Sequence, residues 1–264
     1  MLTLYLTTPF QTDFTIQTNC NHLSRSLCLK YGKYITVSNK PKGKVITAIR
    51  EDSQYRIAFE GNTMTTPNAI SEITHIICDN TRYDKTIFAL HGAAVGYRKK
   101  AFLLLAPTTG GKTTLASYLT HIGFDYITDD CILLDRTSLA IHPNQTPIHL
   151  RQGGLEVLQK LQSAPDSLEL FGDEENIRYA YTPANCVERP MPLGHIFFIQ
   201  RTEAENRLIE MSTNDKMAAL MKAPVTDYTI NADYLNFIAT LAKQKCSQLF
   251  YYDMDFVAEV IRNG

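Results

Sequence analysis

The chain of 264 residues has no tryptophan and no excess of either charge, since 26 basic and 27 acidic side chains nearly cancel. Without a net field it has no general attraction for DNA, RNA or an anionic membrane, so any anion it holds must be held locally. Lys40, Lys42 and Lys44 form one basic cluster, and Arg98, Lys99 and Lys100 another. Their Gly and Pro neighbours make both read as solvated turns, not as a nucleic-acid face. No apolar stretch reaches the roughly 18 residues of a membrane span. Met1 to Leu6 alternates polar and apolar residues as a strand does, and no basic segment leads into a long apolar run. The six cysteines, at 20, 28, 78, 131, 186 and 246, form no C-x-x-C pair and show no zinc-ligand spacing with the histidines. Free thiols and a reducing, cytoplasmic address are expected.

A further absence is local. In Leu103-Leu104-Leu105-Ala106-Pro107-Thr108-Thr109-Gly110-Gly111-Lys112-Thr113-Thr114-Leu115, Ala106 stands where the pattern G-x-x-x-x-G-K-[ST] opens with glycine. The rest of the pattern is present, and so is its context. Ala101 to Leu105 is an apolar strand, and Leu115 and Leu119 continue at helical spacing. The amides from Thr108 through Thr114, the helix N-terminus, the Lys112 ammonium and the Thr113 hydroxyl together suit a polyphosphate and its Mg²⁺. Thr109 is β-branched and resists a positive φ, so it is expected to narrow the loop or turn its amides.

Short β-like segments fill the first sixty residues: Tyr34 to Val37, Val45 to Ile49 and Tyr55 to Phe59. They suggest a small antiparallel layer, and Ile70, Ile73, Ile76 and Ile77 predict a helix that starts at Thr66-Pro67, with Pro67 in its first turn, and ends near Asp79 to Asp84. We therefore expect a β-rich region over 1–84 and a nucleotide-binding catalytic domain over 85–264. In the latter, Thr86 to Val95 reads as a strand, Arg98 to Lys100 as a turn, and Thr113 to His121 as a helix closed at Gly123. Phe124 to Thr128 reads as a strand lying parallel and next to the loop strand. Further on, Leu155, Leu158 and Leu161 suggest a helix, and Asp166 to Glu175 an exposed acidic excursion. His195 to Ile199 reads as a central strand, with Arg207 to Met211 as a weaker partner. Helices over 213–222 and 228–245, a strand over 248–252 and a short terminal helix complete the chain.

Asp129 and Asp130 follow the strand after the loop helix, 17 residues beyond Lys112. Adjacent carboxylates at a strand end diverge, so one can serve Mg²⁺ while the other takes the proton of an attacking hydroxyl. Thr113 and Asp130 are the expected metal pair, with Asp129, Asp130 and His91 as the catalytic group. His91 sits among small residues, Gly92, Ala93 and Ala94, where an imidazole could orient the aspartates or touch a phosphate. Arg151 is a further candidate for a phosphate or acidic group, because a guanidinium binds both in bidentate fashion.

Leu90-His91-Gly92-Ala93-Ala94-Val95, the loop through Leu115, and Gly123-Phe124 followed by Thr128-Asp129-Asp130 resemble the catalytic domain of HPr kinase/phosphorylase over about residues 86 to 142. The resemblance implies an α/β fold, a P-loop kinase core of mixed sheet and helices like that of phosphoenolpyruvate carboxykinase, with phosphoryl-transfer roles for His91, Lys112, Thr113, Asp129 and Asp130. The peptide signature that follows the aspartates in the bifunctional enzymes is missing, so phosphorolysis and HPr as substrate are not implied. Pro147-Ile148-His149-Leu150-Arg151 and Phe197-Phe198-Ile199-Gln200-Arg201 look more like the small related kinases of modified-peptide biosynthesis, lasso-peptide kinases included. The expected function is thus an ATP- and Mg²⁺-dependent transfer to a Ser or Thr hydroxyl of a peptide or small protein. A nucleotide-sensing or peptide-binding module without turnover and a small-molecule (serine-type) kinase are the alternatives. A homo-oligomer is left open.

Overall fold

A computed structural model of the protein describes residues 1–8, 12–37, 42–80, 86–172, 177–225 and 230–264. The chain divides into two compact units: Met1–Asp84 with Glu169–Ala180, and Lys85–Leu168 with Tyr181–Gly264. The expected boundary at 84/85 lies outside the described residues. The second unit does not run unbroken to residue 264, because 169–180 belongs with the first.

The first unit begins with β1 (Leu2–Thr7), β2 (Asp13–Thr18), α1 (Asn21–Tyr31), β3 (Ile35–Val37), β4 (Lys44–Glu51), β5 (Gln54–Phe59), β6 (Asn62–Thr66) and α2 (Ala69–Asn80). Its six strands form one sheet in the order β3-β1-β2-β4-β5-β6. The expected antiparallel layer is in fact mixed, because β2 and β4 run parallel. Parallel neighbours need a long crossover, and α1 with β3 supplies it. Alternate residues Leu4, Leu6, Phe14, Ile16, Ile46, Ala48 and Ile57 turn to one face and pack with Leu23, Leu27 and Tyr31 of α1 and Ile73 and Ile77 of α2. α2 matches the isoleucine spacing but starts at Ala69 and not at Thr66-Pro67, because Thr66 still pairs in β6; the expected end beyond Asn80 lies outside the described residues.

The second unit contains β7 (Ile87–His91), β8 (Ala93–Tyr97), β9 (Lys100–Leu105), α3 (Lys112–His121), β10 (Asp125–Thr128), β11 (Cys131–Asp135), β12 (Ala140–His142), β13 (Ile148–Leu150) and α4 (Gln152–Lys160). The chain then forms an antiparallel pair, β14 (Glu169–Phe171) and β15 (Arg178–Tyr181). In the first unit, the Gly172 carbonyl lies 2.8 Å from Nε2 of His22. The expected acidic excursion therefore holds a short strand, and its residues 173–176 lie outside the described ones. The chain closes with β16 (Met191–Arg201), β17 (Arg207–Glu210), α5 (Thr213–Leu220), α6 (Ala232–Ala242), β18 (Cys246–Tyr251) and α7 (Met254–Asn263). The start expected for α6, at Tyr228, lies outside the described residues.

The nine-stranded sheet runs β10-β8-β9-β16-β12-β11-β7, and β18 also pairs β16 and carries β17 on its other edge. β16 is central as expected, parallel to both β9 and β18, but β17 pairs β18 and not β16. One face of this sheet packs against α5 and α6 in a single core, with Leu103, Leu105, Ile132, Ile196, Leu220, Phe237, Ile238 and Leu241 among its members.

Two differences from expectation shape the site. The apolar run 86–95 is not one strand: it breaks at Gly92, and β7 pairs β11 while β8 pairs β9 and β10. A Cβ at Gly92 would lie 2.6 Å from Cδ2 of Leu105 and 2.9 Å from the Leu104 carbonyl oxygen, so the crossing needs glycine. And β10, although it runs in the same direction as β9, is separated from it by β8.

Candidate functional site

β9 ends at Leu105, and after the turn from Ala106 to Gly111 the chain enters α3. Gly111 is the N-cap, with φ 85°, and no side chain among the described residues caps the helix. The first i to i−4 bond is Leu115 N–H to the Gly111 carbonyl, at 2.9 Å. The amides ahead of it lack such a partner, and no acidic residue occupies the first turn. This is the electropositive end of a helix in a form suited to an anion.

Lys112 is buried, and its Nζ donates to the carbonyls of Ala106 at 2.8 Å and Pro107 at 3.0 Å. Burial lowers its pKa, against the pull of Asp129 and Asp130. Gly110 N–H closes a turn onto the Pro107 carbonyl at 3.0 Å. Thr109 does adopt the left-handed conformation that its branched side chain disfavours, with φ 68°. Ala106 also leaves its mark: a Cβ at Gly110 would lie 2.6 Å from its methyl group. Thr108 and Thr109 are exposed, and Thr114 is half-buried.

The two aspartates follow β10 in a bend. Asp129 is buried, and its Oδ1 accepts from the Thr113 hydroxyl at 3.2 Å. Burial, with the charge of Asp130 behind it, raises its pKa to about 8. Asp130 is exposed and has φ 74°. The carboxylates thus diverge as expected; the Thr113 hydroxyl meets Asp129, whereas the expected metal pair was Thr113 with Asp130. The bend between the strands, more than strand alternation, sets the two directions.

His91 faces this bend from β7, opposite Cys131 of β11. Its Nδ1 lies 3.1 Å from the Asp130 carbonyl oxygen. A carbonyl can only accept, so Nδ1 carries the proton and Nε2 keeps its lone pair. Burial, aided by the charge of Lys112, holds the imidazole below its usual pKa, in the neutral form. His91 therefore meets the aspartate pair through the backbone of Asp130. The backbone N–H of His91 donates to the Ala223 carbonyl at 2.6 Å.

Residues that the motif does not mark hold the bend in place. The Cys131 carbonyl accepts from the Thr128 hydroxyl at 2.8 Å and from Asn144 Nδ2 at 3.1 Å. Asn144 N–H in turn donates to the Ile127 carbonyl at 3.1 Å. The only sequence signal for Asn144 is its place in a Pro/Asn/Gln-rich segment, which names a loop and not a partner. Behind α3, Ser117 and Tyr181 share a hydrogen bond through their hydroxyls. Arg151 is the N-cap of α4, where its carbonyl accepts from Leu155 N–H at 3.0 Å; its side chain is exposed and makes no hydrogen bond or ion pair among the described residues. α4 lies against the first turn of α3, where a Cβ at Gly154 would be 2.7 Å from the Thr114 hydroxyl.

The architecture is that of a mixed α/β protein with several mixed sheets. No described helix is long and apolar enough to cross a membrane. No protein-family model matches the chain, and neither does any curated protein. Among solved structures it is similar to the HPr(Ser) kinase/phosphatase from Coxiella burnetii, with a TM-score of 0.33 and 10% identity over 66% of this chain and 94% of that one.

Proposed function

We propose that the protein is an ATP-dependent kinase that transfers the γ-phosphoryl group to a Ser or Thr hydroxyl of a peptide or small protein. The observation that carries this reading is the bond from Thr113, in the first turn of an uncapped helix, to the buried carboxylate of Asp129. Both are oxygen donors, as a hard cation requires, and a carboxylate that burial keeps protonated toward neutral pH is one that a cation would ionise. Among the described residues no three His, Cys, Asp or Glu side chains could enclose a metal. That fits Mg²⁺, which takes its remaining ligands from phosphates and water. When bound, the ion would offset charge on the transferring phosphoryl group.

In this reading Lys112 and the amides from Thr108 to Thr114 hold the phosphates, and Thr113 with Asp129 holds Mg²⁺. Asp130, exposed at the mouth, takes the proton of the acceptor hydroxyl. His91, neutral and bonded to the Asp130 carbonyl, fixes the direction of that residue. Arg151 is available to a phosphate or to an acidic acceptor. A precursor in modified-peptide biosynthesis is the acceptor class that the sequence resemblance favours.

A second reading, a nucleotide-sensing or peptide-binding module without turnover, is favoured by one feature: the loop positions Ala106 and Thr109, the latter in a disfavoured conformation. Calorimetry with Mg-ATP, combined with mass spectrometry of peptide and metabolite pools exposed to labelled ATP, separates the two. Asp129→Asn and Asp130→Asn should each abolish labelled product while ATP still binds. Full transfer in both variants excludes the assignment.

A further inference from the structure

Tyr251 is the last residue of β18, which runs parallel to β16 and so, through it, parallel to β9. The C-terminal end of β18 therefore faces the same side of the sheet as the loop that leaves β9. Tyr251 is wholly buried, and its hydroxyl has no hydrogen-bond partner among the described residues. That hydroxyl points at the N-cap of α3: a Cβ on Gly111 would lie 2.7 Å from the phenolic oxygen and 4.0 Å from the carbon that bears it. Burial holds the phenol protonated, with a pKa of about 12, so it is available as a donor. A buried polar group without a partner is unfavourable, and a phenylalanine would fill the same space without it.

We infer that Tyr251 is a positioning residue of the phosphate site, whose hydroxyl gains its hydrogen-bond partner, a phosphate oxygen or a water bound to it, only when a polyphosphate occupies the N-terminus of α3. The inference rests on reading the loop as a phosphate site. It joins two independent observations at one place, an uncapped helix end and an orphaned buried donor aimed at its N-cap residue. It also explains why Gly111 must be glycine on two counts, its φ of 85° and the phenol beside it.

The test is Tyr251→Phe, titrated by calorimetry with inorganic tripolyphosphate and with Mg-ATP, and melted with and without each ligand. The expected result is an unliganded melting temperature equal to or above that of the natural protein, with polyphosphate affinity reduced about tenfold, the scale of a hydrogen bond to a charged group. A merely structural hydroxyl would behave in the opposite way, lowering the unliganded melting temperature and leaving affinity unchanged. Either of those results, or failure of Tyr251→Phe to fold, overturns the inference. Lys112→Ala keeps the two readings apart. If it abolishes binding while Tyr251→Phe binds like the natural protein, Tyr251 alone is discarded. If the natural protein binds neither ligand, both readings fall.

Discussion

Thr113 and Asp129, 16 residues apart in sequence, meet in a hydrogen bond of 3.2 Å between hydroxyl and carboxylate. A helix, a turn at Gly123 and strand β10 lie between them, and the bond joins the start of the first to the end of the last. Replacing Thr113 by Ala removes one of two oxygen donors without touching Lys112 or the loop amides. Its expected effect is a loss of Mg²⁺ dependence: Mg²⁺ should strengthen ATP binding on the order of tenfold less than in the natural protein, while ATP binding without Mg²⁺ stays as it was. Calorimetry in the two conditions measures the difference, and equal Mg²⁺ enhancement in both proteins would count against the pair as the cation site.

Asp129 also gives the protein a pH signature. Its carboxyl titrates near 8 when folded and near 3.9, the usual value of about that size, when unfolded. The folded state therefore binds this proton more tightly, and the associated stability is fully present below about pH 4 and lost as pH rises toward about 8. His91 contributes in the opposite sense, since its lowered pKa favours folding as pH rises. The Asp129→Asn variant isolates the first effect. Urea unfolding in Mg²⁺-free buffer across about pH 5 to 8 should show a shallower fall in stability for the variant than for the natural protein. Parallel curves would remove Asp129 as the source.

Thr109 holds a conformation that costs a non-glycine residue on the order of 1–2 kcal/mol, whereas glycine would bring a backbone-entropy cost of about 0.5–1 kcal/mol. Thr109→Gly should therefore raise stability by about 0.5–1 kcal/mol, read as a higher denaturation midpoint. A fall in stability would mean that the threonine side chain gives more to the folded loop than its backbone loses.

Gly92 and Gly153 make a matched pair. A methyl group at Gly92 meets Leu105, Ile132 and the Leu104 carbonyl at under 3 Å, whereas at Gly153, in α4, it meets nothing within 4 Å. Gly92→Ala should destabilise by about 1–3 kcal/mol through overpacking, and Gly153→Ala should stabilise by about 0.5–1 kcal/mol through the entropy of the unfolded chain. Thermal unfolding of both variants checks the contrast, and equal effects would contradict the packing described.

The parts of this structure that were legible in the sequence are those with local causes. Ala101 to Leu105, the loop and Leu115 with Leu119 announce strand, turn and helix within one stretch, and α2 declares itself through its isoleucines. α1 escaped notice although Leu23, Leu27 and Tyr31 fall at four-residue spacing, because polar residues between them weaken the pattern. Non-local facts were not legible at all. Nothing in the run from Ile87 to Val95 says that its halves join different strands; only the approach of Leu104 and Leu105 to Gly92 decides it. The aspartate that meets Thr113 was likewise settled by a bend after β10, and Asn144 and Tyr251 matter through residues far away in the chain.

The passage of residues 169–180 into the first unit means that the chain crosses between its two units three times. No single cut in the gene can then separate them. A fragment ending at residue 84 would lack the strand pair that brings Phe171 and the carbonyl that meets His22. One beginning at residue 85 would carry that pair without α1 and its His22. Dissecting the protein requires excising the segment and bridging 168 to 181, or permuting the chain, before either half can be asked what it does alone.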